Sequence, residues 1–182
     1  TAMRWARLLR RVGHQVHFTN DYDGRDVDLL IALHAWHSAK AVQRYRCQAP
    51  KGPLVVGLGG TDVNTFLKSD RQITLNAMKA ADALICLHDL VGEALPPALW
   101  GRLNVVRQSA TPLSATRIPS KRHFDICVIG HLRDEKDPFR AALAARQMPN
   151  NSSLRVIHLG KATTAKFAKR AAKEMAQNFR YY

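Results

Sequence analysis

One stretch of the sequence decides the fold, and it reads Val128-Ile-Gly-His-Leu-Arg-Asp-Glu-Lys-Asp-Pro-Phe-Arg-Ala-Ala-Leu-Ala-Ala-Arg146. Its apolar start is typical of a buried strand, its middle carries several cations, and its Ala-rich end is typical of a helix. In α/β proteins a strand's carboxyl end and the next helix's amino end hold phosphate groups, because free backbone amides converge there. The predicted anion site consists of Gly130, His131, Arg133 and Lys136.

The same alternation of strand and helix runs through the rest of the chain. It predicts helices at about 2–12, 38–47, 71–80, 89–95, 138–146 and 164–177, and strands at about 15–19, 28–33, 54–58, 82–87, 104–107, 124–129 and 155–159. Short apolar strands of this kind suit a parallel sheet that helices cover on both faces. The predicted fold class is therefore α/β with Rossmann-like architecture.

A change of composition divides the chain into two parts. Residues 109–123 contain two prolines, several hydroxyl residues and no apolar period, which indicates a linker. We predict one Rossmann-like domain at 1–108 and the first part of a second domain at 124–182. The opening helix lacks the strand that a parallel crossover needs before it, and Phe179-Arg-Tyr-Tyr182 resembles the start of a further strand. We interpret the sequence as truncated at both ends; a single flavodoxin-like domain with a decorated tail is the alternative.

The charge of the chain limits its partners without selecting one. The formal net charge is +14, from 28 basic and 14 acidic residues. Because the basic residues are spread along the chain, without a basic tail or interleaved aromatic residues, nucleic acid stays a minority option. No apolar run approaches the roughly 18 residues of a membrane span, so we expect no membrane partner and a cytoplasmic protein. Three distant cysteines without C-x-x-C spacing are interpreted as buried free thiols.

Candidate reactive residues follow the predicted strands of the first part. His34 follows the strand at 28–33, and Gly60, Thr61 and Asp62 follow the strand at 54–58. Ser109 comes after the strand at 104–107. Because parallel strands end at one edge of a sheet, these residues should line one cleft with the predicted anion site if the two sheets face each other. His34 and Asp62 are the predicted catalytic residues, and Gly60, Thr61 and Ser109 are predicted to bind the acceptor or a sugar.

Each candidate also has a purely structural interpretation. A histidine after a strand is often a hydrogen-bonded loop residue, and Asp62 could cap the helix that follows it. Arg133 and Lys136 could pair with the neighbouring acidic residues Asp134, Glu135 and Asp137. The segment Asp21-Tyr-Asp-Gly-Arg-Asp26 lacks the glutamate of a calcium loop, so we interpret it as a polar turn and predict no metal site.

The anion-site stretch is similar to the G-R-L-x-x-x-K-G segment of family-4 glycosyltransferases, in which two Rossmann-like domains face each other in the GT-B fold. His131 stands where that motif has its Arg, and Asp137 stands where it has its last Gly. With these departures the chain resembles the selenosugar synthase family of selenoneine biosynthesis along nearly its whole length. Further matching segments are Thr1-Ala-Met-Arg-Trp-Ala-Arg7, Asp28-Leu-Leu-Ile-Ala-Leu-His34, Gly60-Thr-Asp62 and Gln108-Ser-Ala110.

The resemblance implies that a sugar passes from a UDP-sugar, such as UDP-GlcNAc or UDP-glucose, to the selenium of selenophosphate. Lys136 corresponds to the lysine that binds the donor diphosphate, and Arg133 is carried over as a substitute for the arginine that His131 replaces. We expect neither a metal nor another cofactor. The acidic motif that contacts the donor ribose would lie beyond Tyr182, so this fragment alone is expected to be inactive. An ordinary glycosyltransferase with an alcohol acceptor and a noncatalytic nucleic-acid-binding module remain the alternatives.

Overall fold

The computed structural model of the chain describes residues 1–116 and 118–182. They form two units, Thr1–Thr111 and Pro112–Tyr182, each with its own sheet and its own apolar core. Every strand pair in both sheets is parallel. The α/β class is therefore confirmed, whereas the GT-B-like arrangement of two facing Rossmann-like domains, truncated at both ends, stays a prediction. None of the described helices is both long and apolar enough to cross a membrane.

The first unit contains a four-stranded sheet whose strands lie side by side in chain order. The strands are β1 (Leu30–Leu33), β2 (Leu54–Gly57), β3 (Ala83–Cys86) and β4 (Leu103–Val105). The α-helices are α1 (Ala2–Arg11), α2 (Ala39–Gln48), α3 (Leu67–Ser69) and α4 (Arg71–Ala80). A π-helical turn at Asp62–Phe66 and 3-10 helices at Asp89–Ala94 and Pro97–Arg102 complete the unit. Because all strands are parallel, their carboxyl ends lie at one edge of the sheet.

The core of the first unit lies on one face of its sheet. Ala32, Val56 and Leu84 are neighbours in the strand register, and each is at most 6% exposed. They share one apolar cluster with Tyr45 of α2 and Met78 of α4, so these two helices cover that face. Alternation of side chains along a strand explains why every second strand residue enters this core.

The opposite face of this sheet is less covered than the sequence predicted. Ile31 and Val55, which point to that face, are only half-buried. Helix α1 contributes Trp5, whose ring lies 3.5 Å from the position that a Cβ at Gly57 would occupy. Helices therefore lie on both faces of this sheet, as predicted, but the face that carries Ile31 and Val55 is only partly covered.

Several predicted boundaries of the first unit also need correction. Residues 15–19 belong to no strand; instead Arg10 Nη2 donates a hydrogen bond to the Val16 carbonyl oxygen at 2.5 Å, and Arg25 contacts the His17 ring at 2.9 Å. Polar side-chain contacts hold this segment, so its alternating pattern did not produce a ladder. The helix predicted at 89–95 is a 3-10 helix, and the strand predicted at 104–107 begins one residue earlier and is shorter.

The second unit contains two long parallel strands and two α-helices. They are β5 (Phe124–Ile129), α5 (Arg140–Arg146), β6 (Leu154–Leu159) and α6 (Ala165–Gln177), with a 3-10 turn at Asp134–Lys136. Tyr181 forms a parallel bridge with Val156. The strand start that the sequence predicted at the last four residues is therefore confirmed. Residues 109–116 and 118–123, in the predicted linker, lie in neither helix nor strand.

A buried ion pair joins the two helices of the second unit. Glu174 of α6 is 6% exposed and accepts two hydrogen bonds from Arg146 of α5, at 2.9 and 2.6 Å. Asn178 donates a third hydrogen bond to it at 3.0 Å. Burial alone would raise the pKa of the Glu174 carboxyl, but these bonds outweigh it and hold the pKa below its usual value.

The outer face of the second sheet is open. Ile129 is 80% exposed and Leu159 is 55% exposed, although both belong to strands. Cys127 lies on the same face and is exposed, so its predicted burial is wrong. Cys86 is buried as predicted, Cys47 is exposed, and all three thiols are free.

Gly160 sits where no side chain fits. A Cβ at this position would lie 1.9 Å from the Gly130 carbonyl oxygen, because the ends of β5 and β6 converge there. We expect Gly160→Ala to destabilise the protein by about 1 to 3 kcal/mol, as overpacking against backbone does. Gly101→Ala is the matched control, since a Cβ at Gly101 meets nothing within 4 Å. Equal denaturant midpoints for the two variants would contradict the close approach.

Candidate functional site

His34 stands at the carboxyl end of β1 in an uncommon backbone conformation. Its φ is 75°, in the left-handed region that residues other than glycine rarely adopt. The His34 N–H donates a hydrogen bond to the Gly57 carbonyl oxygen at 2.7 Å, which ties this loop to the end of β2. Strained residues of this kind cluster at functional sites, because the surrounding structure must hold them in place.

Asp62 is fully buried and holds the loop after β1. Its carboxylate accepts hydrogen bonds from the backbone N–H groups of Gly59, Ala35 and Trp36 at 2.8, 2.8 and 2.9 Å. These three donors belong to the loops after β1 and β2, so Asp62 does not cap the helix that follows. Direct contact with a sugar, which the sequence also suggested, does not fit a side chain without exposed surface. Asp62 is therefore a positioning residue.

His34 and Asp62 form a hydrogen-bonded dyad. The two side chains meet at 2.7 Å, between His34 Nδ1 and Asp62 Oδ1. The carboxylate can only accept, so we assign the proton to Nδ1 from this hydrogen-bond pattern. The other ring nitrogen, Nε2, then accepts a hydrogen bond from the Thr61 hydroxyl at 2.5 Å. This arrangement presents a neutral imidazole whose Nε2 can take a proton.

The surroundings of His34 favour its neutral form. Burial lowers the pKa of the imidazole, and the nearby His37 lowers it further, whereas the Asp62 carboxylate opposes both. Burial has the larger effect, so the pKa of the His34 imidazole lies below its ordinary value of 6.5. A neutral imidazole at pH 7 is the form that a general base requires.

The lowered pKa of His34 predicts a loss of stability on acidification. Above pH 6.5 the ring is neutral in both the folded and the unfolded chain. As the pH falls through 6.5 the unfolded chain takes up a proton first, so unfolding becomes easier until the pH passes the lower folded pKa. We expect His34→Gln to flatten this part of a plot of denaturant midpoint against pH. An unchanged slope in the variant would show that His34 does not cause the pH dependence.

Two aromatic side chains, His37 and Phe66, contact the His34 ring, and a third, Trp36, packs against both of them. Trp36 stacks on Phe66 at a centroid distance of 4.2 Å, and the His37 ring lies 4.2 Å from the His34 ring. Phe66 approaches His34 edge-on at 5.6 Å. Trp36 and His37 are near His34 in sequence, which could have signalled the cluster. Phe66 comes from the π-helical turn, and no sequence pattern places it here.

The residues predicted to bind the acceptor occupy two places. Thr61 touches His34, and the exposed Gly60 precedes it; a Cβ at Gly60 would make an ordinary contact with Asn64 Nδ2 at 3.9 Å. Ser109 instead lies beyond β4, where its hydroxyl accepts two hydrogen bonds from Arg4. The structure thus brings together His34, Thr61 and Asp62 and joins Ser109 to a residue that the sequence did not single out.

The predicted anion site of the second unit lies where β5 and β6 end. The Gly130 N–H donates to the Leu159 carbonyl oxygen at 3.0 Å, and His158 Nε2 donates to the Gly130 carbonyl oxygen at 3.0 Å. His131 Nδ1 accepts a hydrogen bond from the Lys161 N–H at 3.0 Å. Because Nδ1 accepts, the neutral ring carries its proton on Nε2, which leaves an exposed donor. The glycine that follows β6 indicated a close backbone contact at this position, but the sequence did not show which residue the contact would involve.

The cations of this loop are only partly neutralised. Arg133 Nε is 3.8 Å from a Glu135 carboxylate oxygen and has no hydrogen-bond partner among the described residues. Lys136 is exposed and makes no ion pair within the described part of the chain. Asp137 pairs with Arg140 instead, at 2.6 Å. The alternative that these cations pair with neighbouring acids therefore holds for Arg133, which pairs with Glu135, and does not hold for Lys136 within the described residues.

The helix after this loop starts later than the sequence predicted. A 3-10 turn at Asp134–Lys136 and Asp137, with φ of 41°, separate β5 from α5, which begins at Arg140 rather than at 138. The loop with the cations thus lies between Gly130 and α5, as the sequence predicted, and the helix begins two residues later than expected. Glycine adopts the positive φ of Asp137 most easily, and the G-R-L-x-x-x-K-G segment described above has glycine at this position.

Comparison with known proteins adds little to this geometry. No protein-family model and no curated protein matches the chain. One solved structure that is similar is described as accessory secretory protein 1,2 and 3 in Streptococcus pneumoniae, with 14% identity and a TM-score of 0.46. The match covers 84% of this chain but 30% of that one, so the chain spans less than a third of that protein's length. The functional argument therefore depends on the site residues.

Proposed function

We propose that the chain takes part in glycosyl transfer from a nucleotide sugar. The observation that carries the proposal is the His34–Asp62 dyad, in which a buried carboxylate positions a neutral imidazole at the end of β1. Transfer of a sugar to a protonated nucleophile needs a group that removes a proton, and this dyad has the geometry of one. In this proposal Gly60, Thr61 and Ser109 contact the acceptor or the sugar.

In this proposal the donor diphosphate is bound by Gly130, His131, Arg133 and Lys136. When the bond between the sugar and the diphosphate breaks, negative charge grows on the departing diphosphate. Lys136, Arg133 and His131 Nε2 supply donors for that charge, and the close approach of Gly130 to Gly160 leaves the strand ends free of side chains. Charge-assisted hydrogen bonds of this type contribute roughly 1.5 to 3 kcal/mol each.

The finer proposal is that the acceptor is selenophosphate and that the donor is a UDP-sugar, UDP-GlcNAc or UDP-glucose. The resemblance to the selenosugar synthase family supports it. The sugar C1–O bond to the diphosphate breaks, a C1–Se bond forms, and a water molecule takes the phosphoryl group from selenium. The products are a 1-selenosugar, UDP and phosphate. His34 is proposed to accept the proton of that water, since the selenium anion itself carries a ready electron pair.

An ordinary alcohol acceptor is the second candidate, and the dyad also favours it. A hydroxyl group is a weak nucleophile until a base removes its proton, and neutral His34 is such a base. In that case selenophosphate plays no part, and the reaction needs no water. The two candidates therefore share their donor and differ in their acceptor.

Product analysis separates these candidates. The intact protein is incubated with UDP-GlcNAc or UDP-glucose, with and without selenophosphate, and the products are examined by mass spectrometry. We expect a hexose product with the isotope pattern of selenium, together with one UDP per product. UDP release that depends on an added alcohol would favour the second candidate. Salt-dependent binding to DNA or RNA without any response to UDP would favour the nucleic-acid-binding alternative instead.

A further inference from the structure

Arg4 of α1 forms a side-chain cluster with two hydroxyl residues that lie more than a hundred positions away. Its Nε and Nη2 donate to Ser109 Oγ at 3.3 and 2.8 Å, and its Nη1 donates to Thr111 Oγ1 at 3.3 Å. Arg4 is half-buried, whereas Ser109 and Thr111 are exposed. We call these three residues the Arg4 cluster.

The Arg4 cluster carries positive charge and unused donors. A guanidinium has five N–H groups, and the three bonds to hydroxyl oxygens leave about two of them free. Because Ser109 and Thr111 accept hydrogen bonds from Arg4, their own hydroxyl hydrogens remain available to another acceptor. Arg4 makes no ion pair with an acidic side chain among the residues that the structure describes. An anion with several oxygens is the complementary ligand.

The Arg4 cluster lies at the same edge of the first sheet as the dyad. Trp5, the next residue of α1, packs its ring close to Gly57 at the carboxyl end of β2. The Gly57 carbonyl oxygen accepts the hydrogen bond from the His34 N–H. Ser109 follows the carboxyl end of β4, in the same parallel sheet. All of these residues belong to the first unit.

We infer that the Arg4 cluster binds the phosphate group of the acceptor, a selenophosphate or a related phosphate-like dianion. The inference deepens the proposed function and rests on it for the identity of the acceptor. The diphosphate of the donor already has a proposed site at Gly130, His131, Arg133 and Lys136, in the second unit. The Arg4 cluster is therefore a second anion site, in the first unit. The His34–Asp62 dyad of the same unit would act on the acceptor or on water.

Nuclear magnetic resonance with inorganic phosphate as the probe tests this inference. The signals to follow are the Arg4 Nε–H and the backbone amides of Ser109 and Thr111, at constant ionic strength with chloride as the reference anion. We expect phosphate to shift these signals to saturation. Arg4→Gln should weaken phosphate binding by about tenfold or more, because a charge-assisted hydrogen bond is lost. Arg4→Lys keeps the positive charge but loses the planar guanidinium, which donates several hydrogen bonds at once, and should therefore give an intermediate phosphate affinity.

Arg7→Gln is the matched control. It removes the same charge from the next turn of α1, where Arg7 is exposed and makes no contact with Ser109, and it should change phosphate affinity less than about twofold. Circular dichroism confirms that each variant keeps its fold. Equal loss in Arg4→Gln and Arg7→Gln, or phosphate shifts confined to other residues, would overturn the inference.

UDP separates failure of this inference from failure of the proposed function. We expect UDP to shift Gly130 and Lys136 and to leave the Arg4 Nε–H signal in place. Displacement of phosphate from Arg4 by UDP would show that the cluster belongs to the donor site and would overturn the inference. If phosphate binds at Arg4 but no nucleotide sugar is bound or used, the anion site stands and the proposed function fails.

Discussion

Replacing Lys136 with alanine is expected to weaken UDP binding by about tenfold or more. Lys136 makes no ion pair within the described part of the chain, and its Cγ lies 4.0 Å from where a Cβ at Gly130 would stand. If this ammonium meets the donor diphosphate, its removal takes away a charge-assisted hydrogen bond. Isothermal titration calorimetry with UDP measures the affinity directly and does not depend on turnover.

Lys169→Ala is the control for this loss of charge. Lys169 is an exposed lysine of α6, so its replacement lowers the net charge equally without touching the loop after β5. We expect its effect on UDP affinity to stay below about twofold at physiological salt, because exposed charges are screened. If both variants lose the same affinity, general charge and not Lys136 governs UDP binding.

Replacing Asp62 with alanine is expected to remove about 3 kcal/mol or more from the free energy of unfolding. The carboxylate accepts hydrogen bonds from three backbone amides and from the His34 ring, and it is fully buried. The substitution leaves these donors without an acceptor, and each unsatisfied buried donor costs about 1 to 3 kcal/mol. Denaturant unfolding followed by fluorescence measures the loss.

Asp89→Ala is the matched control for an acidic residue in the same unit. Asp89 forms an ion pair with Arg107 at 2.8 Å, but its side chain is 72% exposed. Exposed pairs contribute little, so we expect a loss below about 1 kcal/mol. An Asp62→Ala variant as stable as Asp89→Ala would mean that the Asp62 carboxylate does not hold the loops after β1 and β2.

The parts of the fold that follow from local pattern were predictable. Apolar runs gave the position of β1, β2, β3, β5 and β6 to within a few residues, because a buried parallel strand is apolar throughout. The contact of His34 with Thr61 and Asp62 followed from the rule that parallel strands end at one edge. Sequence reasoning therefore placed His34, Thr61 and Asp62 at one edge of the sheet, but it predicted neither the hydrogen bond between His34 and Asp62 nor the positioning role of Asp62.

The parts that depend on distant contacts were not predictable. The segment at 15–19 alternates like a strand, but whether it pairs depends on a neighbouring edge that local pattern does not reveal. The sequence predicts Arg4 to be a solvated arginine of α1, because its contacts with Ser109 and Thr111 join residues far apart in the chain. Asp137 in the turn before α5 has a positive φ, a conformation that the sequence does not indicate for an aspartate.

The central claim is the proposal that the Gly130–Lys136 loop binds the diphosphate of a nucleotide sugar. Nuclear magnetic resonance titration with UDP and with UDP-glucose or UDP-GlcNAc tests it most directly. We expect UDP and the nucleotide sugar to shift the signals of Gly130 and Lys136, whereas inorganic chloride at the same ionic strength leaves them in place. Signals of Gly130 and Lys136 that respond to neither UDP nor the nucleotide sugar would contradict it.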